Sequence, residues 1–238
     1  MPHNNYFEFK QFTVWQNHAA MRVGTDGVLL GAWANTYNAQ NILDIGTGTG
    51  LIALMLAQRS NANIHAIDID KSAIIDATYN FEQSAWANRL SVSLNSLYDF
   101  AKSTNQQYDV IVCNPPFFTN SIKPDCKKRE LARHNNSLSF DELATNAAKL
   151  LNPNGRFNVI LPAESERTFK IAASEARLFA SRICRIKPKP SKAPKRVLIE
   201  FMFESEHAEE AELTIETEQH HDYTPNFKAL VCEFYLSL

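Results

Sequence analysis

The sequence predicts a single α/β domain with a doubly wound mixed sheet, and three observations carry that prediction. Short apolar runs alternate with longer amphipathic stretches along most of the chain, the arrangement of parallel strands joined by right-handed helical crossovers. The first strand of that alternation ends in a glycine turn, GTGTG at residues 46–50, that opens directly into a helical pattern, as at the ligand crevice of open α/β sheets. A chain of 238 residues with 45% hydrophobic composition has enough apolar material for one large core. The expected organisation is one domain over residues 1–238, with a lead-in and covering helix at 1–40, the α/β core at 41–204, and an edge strand and tail at 205–238.

The elements follow in order. After an aromatic-rich lead-in, TDGVLLGAWANTY (25–37) opens with a Thr/Asp capping signal and stays apolar at helical spacing, so it reads as a helix. NILDI (41–45) is the first core strand, the glycine turn follows, and Leu51 to Gln58 is helical. ANIHAIDID (62–70) is the second strand, and Asp70 is placed to cap the helix KSAIIDATYNFEQSAW (71–86). LSVSL (90–94) and YDVIVC (108–113) are the third and fourth strands. SFDELATNAAKLL (139–151) is a helix closed by the turn NPNG, and RFNVILP (156–162) is the fifth strand. ESERTFKIAASEARL (164–178) gives another helix, and FASRICRIKP (179–188) and KRVLIEFMFE (195–204) give two strands around a Pro/Lys-rich loop. ELTIETE (212–218) is expected as an edge strand, and TPNFKALVCEFYLSL (224–238) as a closing helix with Pro225 near its first turn.

Composition excludes several classes. The longest apolar run, Gly50 to Ala57, is too short to cross a bilayer. MPHNNYFEFKQF lacks a basic region followed by a small-residue cleavage site, so a soluble, cytoplasmic protein is expected. Cys113, Cys126, Cys184 and Cys232 match neither zinc-ligand nor disulfide spacing; they imply reduced thiols and no metal. The net charge of −2 conceals a segregation: seven of the fifteen residues from Arg182 to Arg196 are basic, whereas Glu200 to Asp222 holds nine acids and no Lys or Arg. Such a basic stretch reads either as a polyanion-binding edge or as a solvated face.

The glycine turn sets the ligand chemistry. Gly46, Gly48 and Gly50 permit close approach of a ligand to the backbone, but Leu51 stands where a dinucleotide fingerprint needs its third glycine. Asp44, just ahead of the glycines, would repel a pyrophosphate and suits a cationic ligand. Asp68, at the end of the second strand, stands where an acid accepts hydrogen bonds from a ribose diol. Through LDIGTGTG and AIDID the chain resembles the class I, Rossmann-like S-adenosylmethionine-dependent methyltransferases. The resemblance implies S-adenosyl-L-methionine as cofactor, held by Asp44, Gly46, Gly48, Gly50 and Asp68. It departs from the family at the third strand, where an adenine-binding Asp is usual and this chain offers Asn95 and Ser96; Ser96 is the replacement acceptor.

The fourth strand stops on NPPF (114–117). With proline near 5% of residues, a pair at a given position has a chance probability of about 1 in 400. The tetrapeptide resembles the Asn/Asp-Pro-Pro-aromatic motif of methyltransferases that modify a planar exocyclic or amide nitrogen. That chemistry needs two acceptors to hold the amine and stabilise developing positive charge: the Asn114 side-chain oxygen and the Pro115 carbonyl. Phe117 then supplies a ring for an extruded base, and Phe118 is assigned to packing.

The lead-in FEFKQFTVWQNHAAMRVGTDGVLLGAW and the tail YTPNFKALVCEFYLSL resemble those of the bacterial tRNA adenine-37 N6-methyltransferases that act on a valine tRNA, so the resemblance spans essentially the whole chain. It implies a tRNA substrate, adds Thr25 and Asp26 as cofactor contacts, and needs no metal. Lys127, Lys128, Arg129 and Arg133 after the tetrapeptide, and Lys189, Lys192, Lys195 and Arg196 in the Pro/Lys-rich loop, are the expected RNA contacts. The alternatives are a release-factor glutamine methyltransferase, which carries a further N-terminal helical domain, a ribosomal-RNA adenine methyltransferase, an NAD-dependent oxidoreductase on the same sheet, and a non-catalytic RNA-binding module. The sequence leaves oligomeric state open.

Overall fold

The computed structural model describes residues 5–115, 138–205 and 207–237. A short antiparallel hairpin, β1 (Tyr6–Glu8) and β2 (Thr13–Trp15), comes first. The strands β3 (Asn41–Ile45), β4 (Asn63–Asp68), β5 (Leu90–Leu94), β6 (Tyr108–Cys113), β7 (Leu151–Pro162), β8 (Phe179–Lys187), β9 (Arg196–Met202) and β10 (Glu209–Thr214) form one sheet in the order β10-β8-β9-β7-β6-β3-β4-β5. Among them β9 alone runs antiparallel to its neighbours β7 and β8. The doubly wound mixed sheet is therefore as expected.

Alternation along the strands explains the two cores. Ile42, Val110 and Val112 point to one face, under α1 (Thr25–Trp33), α2 (Leu51–Arg59), α3 (Lys71–Glu82) and the closing helix Pro225–Val231. Leu43, Ile111 and Phe157 point to the other, under α4 (Leu97–Ser103) and the helices Phe140–Leu150 and Glu166–Glu175. A strand covered on both sides needs apolar residues at consecutive positions, which is why NILDI and DVIVC read as near-continuous apolar runs.

Four local differences from the sequence reading have physical reasons. The lead-in contains the β1–β2 hairpin, whose three-residue strands are too short to show an alternating pattern. Helix α4, with only seven residues, lies where the reading passed directly from strand to strand; Ser96 caps it, accepting the Asp99 N–H at 3.1 Å. The NPNG segment is bulged out of β7, so that Tyr108 pairs with Leu151 while Val110 pairs with Arg156, and Asn152 Nδ2 donates to Asp109 Oδ1 at 2.6 Å. The edge strand forms at Glu209–Thr214, earlier than ELTIETE, and pairs parallel to β8.

That last pairing resolves the segregated charge. In β8 and just beyond it, Arg185 bonds Glu166 and Glu210 at 2.7 Å each, Lys187 reaches Glu212 at 2.9 Å, and Lys189 lies 3.9 Å from Glu216. Arg182 meets the buried Glu200 at 3.2 Å and stacks over the Trp33 ring. Much of the basic stretch is thus neutralised by the acidic one, and the polyanion-edge reading shrinks to the loop that follows β8.

Candidate active site at the carboxyl edge of the sheet

The parallel strands all end on one side, and Asp44 with the glycine turn, Asp68, Ser96 and Asn114 stand at or just after those strand ends. The turn between β3 and α2 is forced into a left-handed path, with φ of +69° at Gly46, +56° at Gly48 and +83° at Gly50. A Cβ built on Gly46 or Gly48 would meet nothing within 4 Å, whereas one on Gly50 would come within 2.5 Å of the Phe81 ring. Gly50 is therefore small for packing, and the first two glycines leave a bare backbone open to a ligand. The Ile67 carbonyl accepts the N–H groups of Gly46 and Thr47 at 2.9 and 3.1 Å, holding the turn against β4.

Asp44 is fully buried beneath this turn. Its Oδ2 accepts the Thr47 hydroxyl at 2.6 Å, and its Oδ1 is buried with no partner among the described residues. Burial, opposed by the Thr47 hydroxyl and by the nearby Ala53 N–H, pushes its carboxyl up to about 7. A buried acceptor left open in this way fits a cation.

Asp68 presents each oxygen to one backbone N–H, from Gly48 and from Asp70, both at 2.9 Å. A carboxylate has about four lone-pair sites, so acceptor capacity remains for ligand hydroxyls. Asp70 caps α3 as expected, accepting the Ser72 N–H at 2.9 Å.

Asn114 follows the last β3–β6 pair, Ile45–Cys113. Its Oδ1 is buried with no partner among the described residues, and Pro115 behind it is buried. Phe117, Phe118, Lys127, Lys128, Arg129 and Arg133 lie outside the described residues.

Thr25 and Asp26 begin α1, but the capping reading fails: Gly24 occupies the cap position and no side chain caps the helix. Asp26 instead accepts from Arg196 Nε at 2.8 Å. Arg196, expected as an RNA contact, is thereby an ion-pair partner of the first helix. Ser96 also spends its hydroxyl locally, donating to Asp99 Oδ2 at 2.6 Å while capping α4.

The Pro/Lys-rich loop does lie at this edge, because Pro162, at the end of β7, is in register with Arg196. Its residues differ in availability. Lys189 Nζ donates to the Glu218 carbonyl at 3.1 Å, and Ser191 is tied to the Glu218 carboxylate at 2.9 and 3.0 Å. Lys192 and Lys195 are exposed and make no side-chain hydrogen bond or ion pair among the described residues.

Residues not singled out from the sequence hold the site in place. Asn80, almost fully buried, receives the Trp15 N–H on its Oδ1 and donates to the carbonyls of Trp15 and Thr49, all at 2.8 Å. It therefore bolts the lead-in to the glycine turn. Asp76 accepts the N–H groups of His18 and Ala19 at 2.8 Å and meets His18 Nδ1 at the same distance; burial opposes these bonds, which prevail and hold its carboxyl low. A buried Asp and Asn one helical turn apart on an otherwise apolar helix face were the available sequence signal.

The Methyltransferase small domain family model matches residues 18–174. Relatives bearing the name tRNA1(Val) (adenine(37)-N6)-methyltransferase match nearly end to end. That of Phocaeicola vulgatus is 50% identical over 235 residues, covering 99% of each chain. That of Parabacteroides distasonis is 47% identical over 236 residues, again 99% of each. Among solved structures, a predicted O-methyltransferase from Agrobacterium tumefaciens superposes with a TM-score of 0.69 at 19% identity, covering 88% of this chain and 96% of that one; this likeness concerns the fold. Among the described residues no helix is long and apolar enough to cross a membrane.

Proposed function

We propose that this chain, which belongs to the tRNA1(Val) (adenine(37)-N6)-methyltransferase family, methylates the N6 amine of an adenine in tRNA, at position 37 of a valine tRNA. The observation that carries this reading is the buried Asn114 Oδ1 just after β6, without a partner among the described residues, beside a glycine turn whose buried Asp44 likewise has an oxygen with none.

S-adenosylmethionine, when bound, supplies an electrophilic methyl on a positively charged sulfur. The residues present fit it: Asp44 offers an anion to the cationic end, Gly46 and Gly48 offer uncovered backbone, and Asp68 retains acceptor capacity for the ribose diol. Thr25 and Asp26 at the start of α1 and Ser96 at the cap of α4 are the further contacts this reading assigns to the cofactor, with Asp26 engaged by Arg196 and the Ser96 hydroxyl by Asp99 in the ligand-free fold. An adenine amine delocalises its lone pair into the ring, so it is a poor nucleophile while planar. Asn114 Oδ1 and the Pro115 carbonyl accept its two hydrogens, draw the nitrogen toward tetrahedral geometry and stabilise the positive charge that develops there. Proline at 115 fixes φ and the proline that follows it in the sequence restricts its ψ, so together they limit the direction of that carbonyl. Phe117 would then carry the extruded base by stacking.

Incubation with total tRNA and labelled S-adenosylmethionine, followed by nucleoside mapping by mass spectrometry, is expected to give N6-methyladenosine at a single tRNA position. Label appearing in protein glutamine, or in no tRNA, would overturn the reading.

Lys192 and Lys195 are the loop cations left to meet phosphates. Replacing both with Gln is expected to weaken tRNA binding and lower the slope of log affinity against log salt by about 1 per lysine, with cofactor affinity unchanged. An unaltered slope would remove the loop from the RNA surface.

A further inference from the structure

We propose that Glu216, His220 and His221 form a binding site for a zinc-class divalent metal ion, separate from the methyl-transfer site. The three side chains come from one connection, between β10 and the closing helix, and their ligand atoms all lie within 4.8 Å of one another. Glu216 Oε2 and His220 Nδ1 are 3.3 Å apart. Two ligand atoms each about 2.0–2.1 Å from a tetrahedral zinc ion stand roughly 3.3 Å apart, so this pair already has the required separation. The His221 imidazole lies against that of His220, with ring centroids 3.8 Å apart, and one of its nitrogens is already within 4.8 Å of the other two ligand atoms.

The ligand set suits a borderline ion rather than calcium or magnesium: two imidazoles and one carboxylate favour zinc and its neighbours, whereas hard cations take oxygen ligands throughout. Three protein ligands leave a fourth position for water.

The connection is pre-shaped without the ion. Glu216 bridges Tyr223, Thr217 N–H donates to the Asp222 carbonyl at 2.7 Å, and Thr224 N–H donates to the Ile215 carbonyl at 2.9 Å. His221 holds a left-handed φ of +63°, uncommon for a residue other than glycine, and its N–H donates to Glu216 Oε1 at 3.3 Å. Lys189 Nζ lies 3.9 Å from Glu216 Oε2, and this cation opposes a metal. Because Glu218 in the same connection holds Ser191 and Lys189, an ion here would brace the lysine loop from behind.

The test is calorimetric titration of the metal-free full chain with Zn²⁺ alone. The expected result is one saturable equivalent, at least tenfold weaker binding in His220→Ala and in His221→Ala, and tighter binding in Lys189→Met, where the opposing cation is gone. Both imidazoles are exposed, so the variants are expected to fold, and circular dichroism of each checks this. Absence of saturable binding overturns the proposal. So does zinc affinity that is the same in the histidine variants as in the parent, which would point to the thiols instead.

Discussion

Replacing Asn114 with alanine is expected to slow methyl transfer by about 10²–10³ in single-turnover assays, by analogy with removal of one charge-stabilising hydrogen bond in other active sites. Cofactor affinity and melting temperature are expected to stay near those of the parent, and the physical basis is the same for both. In the ligand-free fold Asn114 Oδ1 is buried without a partner among the described residues. Among the described residues its removal therefore costs no hydrogen bond accepted by that oxygen and relieves a desolvated acceptor. The gain made by that oxygen comes as the amine acquires positive charge, so its loss falls on the rate rather than on ground-state binding. Rapid-quench kinetics beside cofactor calorimetry and a melting curve separate the three quantities. A near-normal single-turnover rate would take the amine-holding role away from the tetrapeptide; a large loss of cofactor affinity would assign Asn114 to binding instead.

Legibility in the sequence tracked the distance over which each interaction acts. The sheet and the glycine turn were readable because the signal is local: near-continuous apolar strands, and glycines at positions that turn out to have positive φ. Asp70 as a helix cap was readable for the same reason. The ion pairs of the basic stretch are not legible in the sequence because the partners are remote. Parallel pairing of β8 with β10 sets Arg185 opposite Glu212 and lets it bond Glu210 and Glu166, and no local rule on charge runs anticipates which strands will be neighbours. Arg196 shows this most strongly, since its partner Asp26 is 170 residues away. Ser96 was given a ligand role on position alone, whereas the Ser-x-x-Asp spacing to Asp99 was a capping signal that would have revealed α4 as well. Asn80 and Asp76 were missed because a polar residue on a helix ordinarily faces water; that these two are buried follows from the lead-in folding over them.

The second large effect is expected at Asp44, where one substitution should move cofactor binding and fold stability in opposite directions. Its carboxyl is pushed from the ordinary carboxylate value of 3.8 up to about 7, chiefly by burial. The folded state thus holds this proton across a range in which the unfolded chain has lost it. Stability from this group is fully present below about pH 4, declines as pH rises, and has gone above about pH 7. That rise corresponds to roughly 4 kcal/mol, the upper size of the penalty for keeping the bare anion buried. Asn in place of Asp44 carries no such penalty and can still accept the Thr47 hydroxyl. Ligand-free Asp44→Asn is therefore expected to melt higher than the parent at pH 8 and close to it at about pH 4 and below. Cofactor binding should suffer the reverse. Loss of a charged hydrogen-bond acceptor costs about 1.5–3 kcal/mol, or roughly ten- to a hundredfold in affinity at pH 8. In the parent, a cation beside Asp44 favours its ionised form, so binding near pH 6.5–7 should release a proton. Calorimetry in buffers of different ionisation enthalpy measures that proton directly. The variant is expected to release correspondingly less, and equal release by both proteins, or a lower melting temperature for the ligand-free variant at pH 8, would show that Asp44 is not the buried anion that receives the cofactor.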